Sequence, residues 1–411
     1  MKKIPVMKKN SEGSFSDEIM SQWLEKALEQ KEKLISFRRD FHRHPELGFQ
    51  EIRSSRIIID VMTSLGIDVQ TGIAQTGVIG LIKGKQPGKT VLLRFDMDAL
   101  ALQEETGAVY QSEIPGKMHA CGHDGHMAIG LTVASLLVQK KDTLSGTIKI
   151  IFQPAEEGAG GAQKMIAEGA LENPEPDTAL GIHIWNEKPL NWLGITKGPV
   201  MAGADFFEIQ VYGKGGHGAI PEKTSDPIEA SAVIITALQS VVARNISPKD
   251  TAVLSITQIR GGETYNVIPG TVEIKGTIRS FKRDVHDLLV ARIHEIVEPI
   301  AGAMGCSAKI TWIMSDPPLV NDPTVTEIVL AAAKNVLPNH FIDDDYQSMG
   351  SEDMALILER IPGCYLFIGS ANSAKGLDFG HHHPKFDFDE EVLLQAAALV
   401  AGCAEFLLEK K

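Results

Sequence analysis

The sequence predicts an α/β protein of two domains, and three observations carry that reading. The chain has 411 residues, more than one hydrophobic core usually organises. Short continuous apolar runs of the kind buried inside a sheet alternate with helix-period segments, and these runs end beside His, Cys, Asp or Glu. Around Met201 the pattern changes to alternating strands with two helices, which marks a smaller α+β unit set inside the first. The expected division is a larger α/β domain from residues 1–200 and 315–411, with residues 201–314 inserted between its halves.

The first elements follow from periodicity. Apolar residues from about Ser16 to His44, among them Trp23, Leu24, Leu34, Phe37 and Phe41, recur at three and four, which describes one or two amphipathic helices stopped by His44-Pro45. A further helix is expected from about Arg53 to Leu65, ended by Gly66. Strands follow at Val78–Lys83 and Thr90–Phe95, then an apolar helix from about Met127 to Val138 and strands at Thr147–Phe152 and Thr178–Ile184. In the inserted unit, strands are expected near Phe206–Tyr212, Val253–Ile259, Thr271–Ser280 and Lys309–Met314. Its two helices are expected over about Ser225–Arg244, capped by Asp226 with Pro227 at the first position, and Val285–Ile300. Beyond Pro317-Pro318 the larger domain resumes with helices near Val325–Val336 and Asp353–Arg360, a strand at Cys364–Ile368, and a nearly all-apolar final helix to about Leu408 that is expected to be buried.

Composition excludes several classes. Forty Lys and Arg against 53 Asp and Glu give a net charge of −13, which argues against nucleic acid or an anionic membrane as the main partner. The basic stretch Met1–Asn10 has no apolar segment behind it, so it does not read as a signal peptide. No uninterrupted apolar run reaches the roughly 18 residues that a membrane helix needs, and a soluble cytoplasmic protein is expected. The four cysteines Cys121, Cys306, Cys364 and Cys403 are widely spaced, so disulfides are not expected. Cys121 alone has polar company, and the other three read as buried small hydrophobes.

That company is His119-Ala120-Cys121-Gly122-His123-Asp124-Gly125-His126, a run dense in soft and borderline metal donors, with glycines that let the chain turn tightly. One such run cannot fill a coordination sphere, so further ligands must come from distant sequence. Candidates stand at strand ends: Asp96 and Asp98 beyond the second strand, Glu156 and Glu157 beyond the next, and His183 near the end of another. On an extended segment the paired glutamates would point opposite ways, one toward a metal and its neighbour toward a water beside it. Gly215-Gly216-His217-Gly218 and Gly380-His381-His382-His383-Pro384 add imidazoles in turns.

These segments, with Gln153-Pro154-Ala155-Glu156-Glu157-Gly158 and Tyr265-Asn266-Val267-Ile268-Pro269, resemble in order and spacing the amidohydrolase branch of the aminoacylase metallopeptidase family, which includes hippurate hydrolases and auxin-conjugate hydrolases. The resemblance covers the chain from about Asp40. It implies a catalytic domain with a central mixed sheet flanked by helices, interrupted by a smaller α+β dimerisation or lid domain. It further implies two divalent metal ions per subunit held by Cys121, His123, Glu157, His183 and His382, with His381 and His383 as alternatives to the last. Glu156 is then the general base, Asp98 an orienting group and Asp96 of open role. His217, reaching a neighbouring subunit's site in a homodimer, Asn266 and Arg279 are the implied substrate contacts, the guanidinium suiting a planar carboxylate.

The implied reaction is hydrolysis of the amide bond of a small-molecule N-acyl amino acid, of N-acetyl or N-benzoyl type, to a carboxylic acid and a free amino acid. Zinc, manganese, cobalt and nickel all suit the donors, and the sequence does not choose among them. Acyl group, amino acid and chirality stay open. A dipeptidase or carboxypeptidase using the same site is the nearest alternative; a metal-free cysteine amidase with Cys121 as nucleophile and His123 or His126 as base, or a non-catalytic metal binder, are the others.

Overall fold

The computed structural model describes residues 21–409. The start of the first predicted helix at Ser16 and the basic stretch Met1–Asn10 lie outside them. Helices α1 (Gln22–Glu29), α2 (Lys31–Arg43) and α3 (Ile52–Ser64) come first, then strands β1 (Asp68–Ile73), β2 (Gly77–Lys83) and β3 (Gln86–Asp96). Helix α4 (His123–Val138), strand β4 (Ser145–Gln153), helix α5 (Gly161–Ala167) and strands β5 (Thr178–Pro189), β6 (Trp192–Gly194) and β7 (Gly198–Met201) complete the first half. The inserted unit holds β8 (Gly203–Tyr212), β9 (Gly216–His217), α6 (Pro227–Asn245), β10 (Ala252–Arg260), β11 (Val267–Ile268), β12 (Thr271–Ser280), α7 (Arg283–Ala303) and β13 (Ser307–Asp316). The chain then returns through β14 (Leu319–Asn321), α8 (Pro323–Val336), β15 (Phe341–Asp343), α9 (Met354–Leu358), β16 (Gly363–Ala371) and α10 (Glu391–Glu409).

The larger sheet has eight strands in the order β1-β2-β4-β3-β5-β16-β6-β15. Its centre, β4-β3-β5-β16, is parallel, and β2 and β6 pair antiparallel at its borders, so the sheet is mixed. Buried on both faces, these strands alternate between two cores. Val91, Leu93 and Phe95 of β3, with Leu180, Ile182 and Ile184 of β5, face the layer that includes α4 and α10. Leu92, Trp185, Tyr365 and Phe367 face the other layer, where Met354, Ala355 and Ile357 of α9 lie. Strands β4 and β5 flank β3 on opposite sides, so the strand order reverses there and the carboxyl ends of these strands open onto one crevice.

Helix α4 is buried from His123 to Leu137 and packs so tightly on the sheet that Gly130 touches aromatic rings. A Cβ there would stand 2.7 Å from both Phe152 Cε1 and Phe95 Cδ2. Those rings are packed together at 5.7 Å between centroids and have little room to yield. Gly130→Ala should therefore lower stability by about 1–3 kcal/mol, read as an earlier midpoint in urea unfolding; an unchanged midpoint would contradict this packing.

The inserted unit is a four-stranded antiparallel sheet, β10-β12-β8-β13. Phe207, Ile209 and Val211 of β8 turn inward against Ile234, Leu238, Leu289 and Ile293 of α6 and α7, giving it its own core. The ribbon β9–β11 sets His217 opposite Val267. Among the described residues, two helices, α6 and α10, are long and apolar enough by composition to cross a membrane; α10 lies inside the larger core, with buried residues from Val392 to Leu408. Cys364 and Cys403 are buried as expected, whereas Cys306 is only partly so, being the residue before β13 rather than inside a core.

Candidate active site

Gly122 caps α4 in the left-handed region at φ 90°, a conformation that costs a Cβ-bearing residue energy. The helix begins four residues before the expected Met127. Its first turn carries His123, Asp124 and His126, polar but buried side chains that a hydrophobic pattern cannot register. Each is fixed by a residue far away in sequence. His123 Nδ1 lies 2.9 Å from the carbonyl oxygen of Asp98 and 3.3 Å from its Oδ1. A carbonyl oxygen only accepts, so Nδ1 carries a proton and Nε2 is the nitrogen left to face a metal. That Nε2 is buried without a hydrogen-bond partner.

His126 differs. Its Nδ1 donates to Asp96 Oδ1 at 2.6 Å and its Nε2 accepts the Ile184 amide at 3.0 Å, so both nitrogens are spent on structure. His119 is fully buried with no partner at either nitrogen and joins none of the donor groupings described below; burial pushes it down to about 4. Strand β5 supplies His183, whose Nδ1 donates to the Ile184 carbonyl at 2.6 Å while Nε2 faces Cys121 Sγ at 3.5 Å.

Beyond β4 the two glutamates sit on a turn, not on an extended segment. Ala155 has φ 56° and the Gly158 amide closes on the Glu156 carbonyl at 2.6 Å. The turn still separates their tasks. Glu157 is anchored through its amide to Asp98 Oδ2 at 2.9 Å, and its Oε1 meets His382 Nε2 at 3.1 Å. His382 itself sits at φ 62°, a strained setting for a non-glycine residue, held by its amide on the Ala120 carbonyl at 2.8 Å. His383 instead points away, accepting the Lys385 amide at 3.0 Å and stacking on Phe379. His381 Nδ1 stands 3.9 Å from Cys121 Sγ.

Among the described residues, donor atoms within 4.8 Å of one another form the groups Cys121-His123-His183, Cys121-Glu157-His382, His123-Glu156-Glu157 and Asp96-His123-His126, besides one around Glu352 and Asp353. Asp96 also approaches His123 Nε2, at 3.7 Å. The residues fit a pair of cations on three counts. The free nitrogens of His123 and His183 and the Cys121 sulfur converge; the donors are a thiolate, imidazoles and carboxylates, a set for zinc and its neighbours rather than magnesium or calcium; and the site is short of positive charge. Burial alone would depress His123, yet Asp96, Asp98 and Glu157 outweigh it and carry it to about 10. Burial and the nearby Glu157, Glu156 and Asp96 push the Cys121 thiol well up, and burial with Glu352, Glu157 and Asp353 does the same to the Glu156 carboxyl.

Several residues that sequence reasoning passed over hold this arrangement. Arg94, buried in β3, reaches Asp96 Oδ2 at 2.5 Å, Glu352 Oε1 and Asp353 Oδ1 at 2.8 Å, and Gln153 Oε1 at 2.9 Å. Glu352 and Asp353 in turn close a group with Glu156. Behind α4, buried Arg38 binds Asp124 at 2.9 Å and Asp387 at 2.6 Å, and His42 binds Asp124 at 2.8 Å. The available signal was a lone arginine inside the apolar run Val91-Leu92-Leu93-Arg94-Phe95, because a charge there requires buried partners.

The three expected substrate contacts stand apart from this cluster. Among the described residues no hydrogen bond or ion pair joins it to His217, Asn266 or Arg279. His217 and Asn266 are neighbours on the exposed β9–β11 ribbon, where the Gly218 amide bonds the Asn266 carbonyl at 2.8 Å. Arg279 is half-buried over the Phe206 ring at 5.3 Å, near the carboxylates Asp205 and Asp316.

The chain is similar to known proteins over most of its length. The family model described as peptidase family M20/M25/M40 matches residues 92–405. N-acetylcysteine deacetylase of Bacillus subtilis is 39% identical over 92% of this chain and 97% of that protein. Thermostable carboxypeptidase 1 of Saccharolobus solfataricus is 40% identical over 88% of this chain and 91% of that protein. The crystal structure of Bacillus subtilis YXEP protein, described as a dinuclear metal binding peptidase from the M20 family, superposes with a TM-score of 0.81 at 35% identity, covering 93% of this chain and all of that one. With most of its length matched, this chain belongs to the M20/M25/M40 peptidase family.

Proposed function

We propose that this chain is a cytoplasmic, homodimeric hydrolase of N-acyl amino acids that uses two divalent cations. Metal-dependent amide hydrolysis is the activity of its family, and the acyl-amino-acid substrate is the finer reading. The observation that carries it is the place of Cys121, common to the groups Cys121-His123-His183 and Cys121-Glu157-His382, with Glu156 beside them. One cation would be held by Cys121, His123 and His183, the other by Cys121, Glu157 and His382. When bound, such a pair would lower the pKa of a coordinated water toward neutrality and polarise the scissile carbonyl.

The remaining work belongs to this chain's side chains. Glu156 takes the proton of the attacking water and returns it to the departing amine, a task for a carboxylate whose pKa burial has raised. Asp98 orients two ligands at once, through His123 Nδ1 and the Glu157 amide. Asp96 fixes His126, whose other nitrogen holds the Ile184 amide next to His183. Arg279 pairs with the substrate carboxylate, and His217 and Asn266, on an exposed ribbon, meet the substrate in a partner subunit's site. Exposed apolar side chains on the inserted unit, among them Tyr265, Val267, Ile259 and Val233, support a buried contact there in a dimer.

A metal-free cysteine amidase fits the geometry poorly. Of its two candidate bases His126 has no free nitrogen, and although His123 Nε2 stands near the sulfur, burial and carboxylates push the Cys121 thiol up, the opposite of an activated nucleophile. A chelator should therefore abolish hydrolysis, and zinc, manganese, cobalt or nickel should restore it. In the reconstituted protein, N-acetyl and N-benzoyl amino acids should be cleaved with higher kcat/KM than dipeptides. Activity that survives the chelator would sink the two-metal reading, and faster dipeptide cleavage would favour a peptidase.

A further inference from the structure

We propose that His381 is a positioning residue that donates its Nδ1–H to the Cys121 sulfur, so that the protein as well as the cations holds the shared thiolate. The inference rests on the reading of Cys121 as the ligand common to both cations, and it concerns a histidine that reading leaves without a task. His381 Nε2 lies 3.2 Å from the Asn186 backbone amide. That amide can only donate, so Nε2 carries a lone pair, and a neutral ring then has its proton on Nδ1. Nδ1 faces Cys121 Sγ at 3.9 Å, with the Cys121 backbone as the other acceptor near the ring.

Ring packing fixes that orientation. The His381 ring lies 4.8 Å from Trp185 and 5.1 Å from Phe386, both tilted at 36°, and meets His183 edge-on at 5.2 Å. The other tautomer, which would offer a metal a bare Nδ1, would put an Nε2–H against the Asn186 N–H. His381 accordingly belongs to none of the donor groups among the described residues, whereas His382 does. The three consecutive histidines thus divide the labour: His381 addresses the sulfur, His382 reaches Glu157 and His383 caps the turn through the Lys385 amide. A hydrogen bond on a metal-binding sulfur orients its lone pairs and moderates its charge, and outer partners of this kind contribute substantially to metal affinity.

The test uses full-length protein stripped by a chelator and titrated with cobalt(II). The sulfur-to-cobalt charge-transfer band reports the thiolate, and competition with a chelator reports affinity. His381→Phe keeps a ring but loses the donor; it should shift the band to longer wavelength and weaken cobalt binding about 10–100-fold. His381→Asn returns an N–H near the position of Nδ1 and should recover band and affinity. No change in His381→Phe, or equal losses in both variants, overturns the proposal. Should His381→Phe fail to fold, nitrogen NMR of histidine-labelled, zinc-loaded wild type decides: Nδ1 protonated and Nε2 bare supports it, and an Nε2–H tautomer or direct ligation by His381 overturns it. Wild type that binds no cobalt at all would instead bring down the two-metal reading, and this proposal with it.

Discussion

Glu156→Gln should reduce kcat by about 10²–10⁴-fold while leaving metal content and KM close to wild type. The substitution keeps the size and polarity of the side chain and removes only its capacity to take a proton. The structure separates this role from ligation. Glu157 is tied to Asp98 through its amide and to His382 through Oε1, so Glu157→Gln should cost metal as well as rate. Glu156 faces Glu352 and Asp353 on one side and His123 and Glu157 on the other, and burial with those carboxylates drives it well above the ordinary range for Glu. Steady-state kinetics with metal analysis of the same sample check the distinction. A Glu156→Gln protein that retains full turnover with both cations in place would remove the general base from the mechanism.

How much of this was legible in the sequence depends on where each residue's partners lie. The pool of donors around Cys121, Asp96, Asp98, Glu156, Glu157 and His183 was legible because donor residues beyond apolar strands are chemically conspicuous, while the choice of Cys121, His123, Glu157, His183 and His382 from it came from the family resemblance; the sheet order brings those strand ends together. The physical reason for the division among neighbouring histidines was not legible. His126 differs from His123 only because Asp96 and the Ile184 amide occupy both its nitrogens, and both contacts are tertiary. The start of α4 was misplaced for the same reason, since the side chains of its first turn, His123, Asp124 and His126, are held by Arg38, His42, Asp96 and Asp98. Strand β1 was missed because Asp68–Ile73 is mostly exposed at the sheet edge, so only one face of its pattern is written in apolar residues. Helix α5 follows Gly158, Ala159 and Gly160, a stretch that reads as loop, and its cap is the left-handed Gly160.

Arg94→Leu should destabilise the protein by about 3–5 kcal/mol at neutral pH, the cost of stranding buried charges once their partner is removed. Arg94 is 1% exposed, and its guanidinium is the cation facing Asp96, Glu352 and Asp353 together. Leu fills part of the volume but satisfies none of the three. The deficit has a sign in pH. Burial already lifts Asp353 to about 8, against the lowering pull of Arg94; without Arg94 the folded variant must carry more protons on this cluster than wild type does. Stability then falls more steeply with rising pH in the variant, because its folded state binds the extra protons that the unfolded chain releases near pH 4. The gap in urea midpoint between wild type and variant should therefore widen from about pH 5 to pH 8. Arg94→Lys, which keeps a charge but not the fork that spans three carboxylates, should fall between the two. A gap that stays constant across that range would mean that Arg94 stabilises through packing alone, and that the carboxylates behind Glu156 do not depend on it for their ionisation.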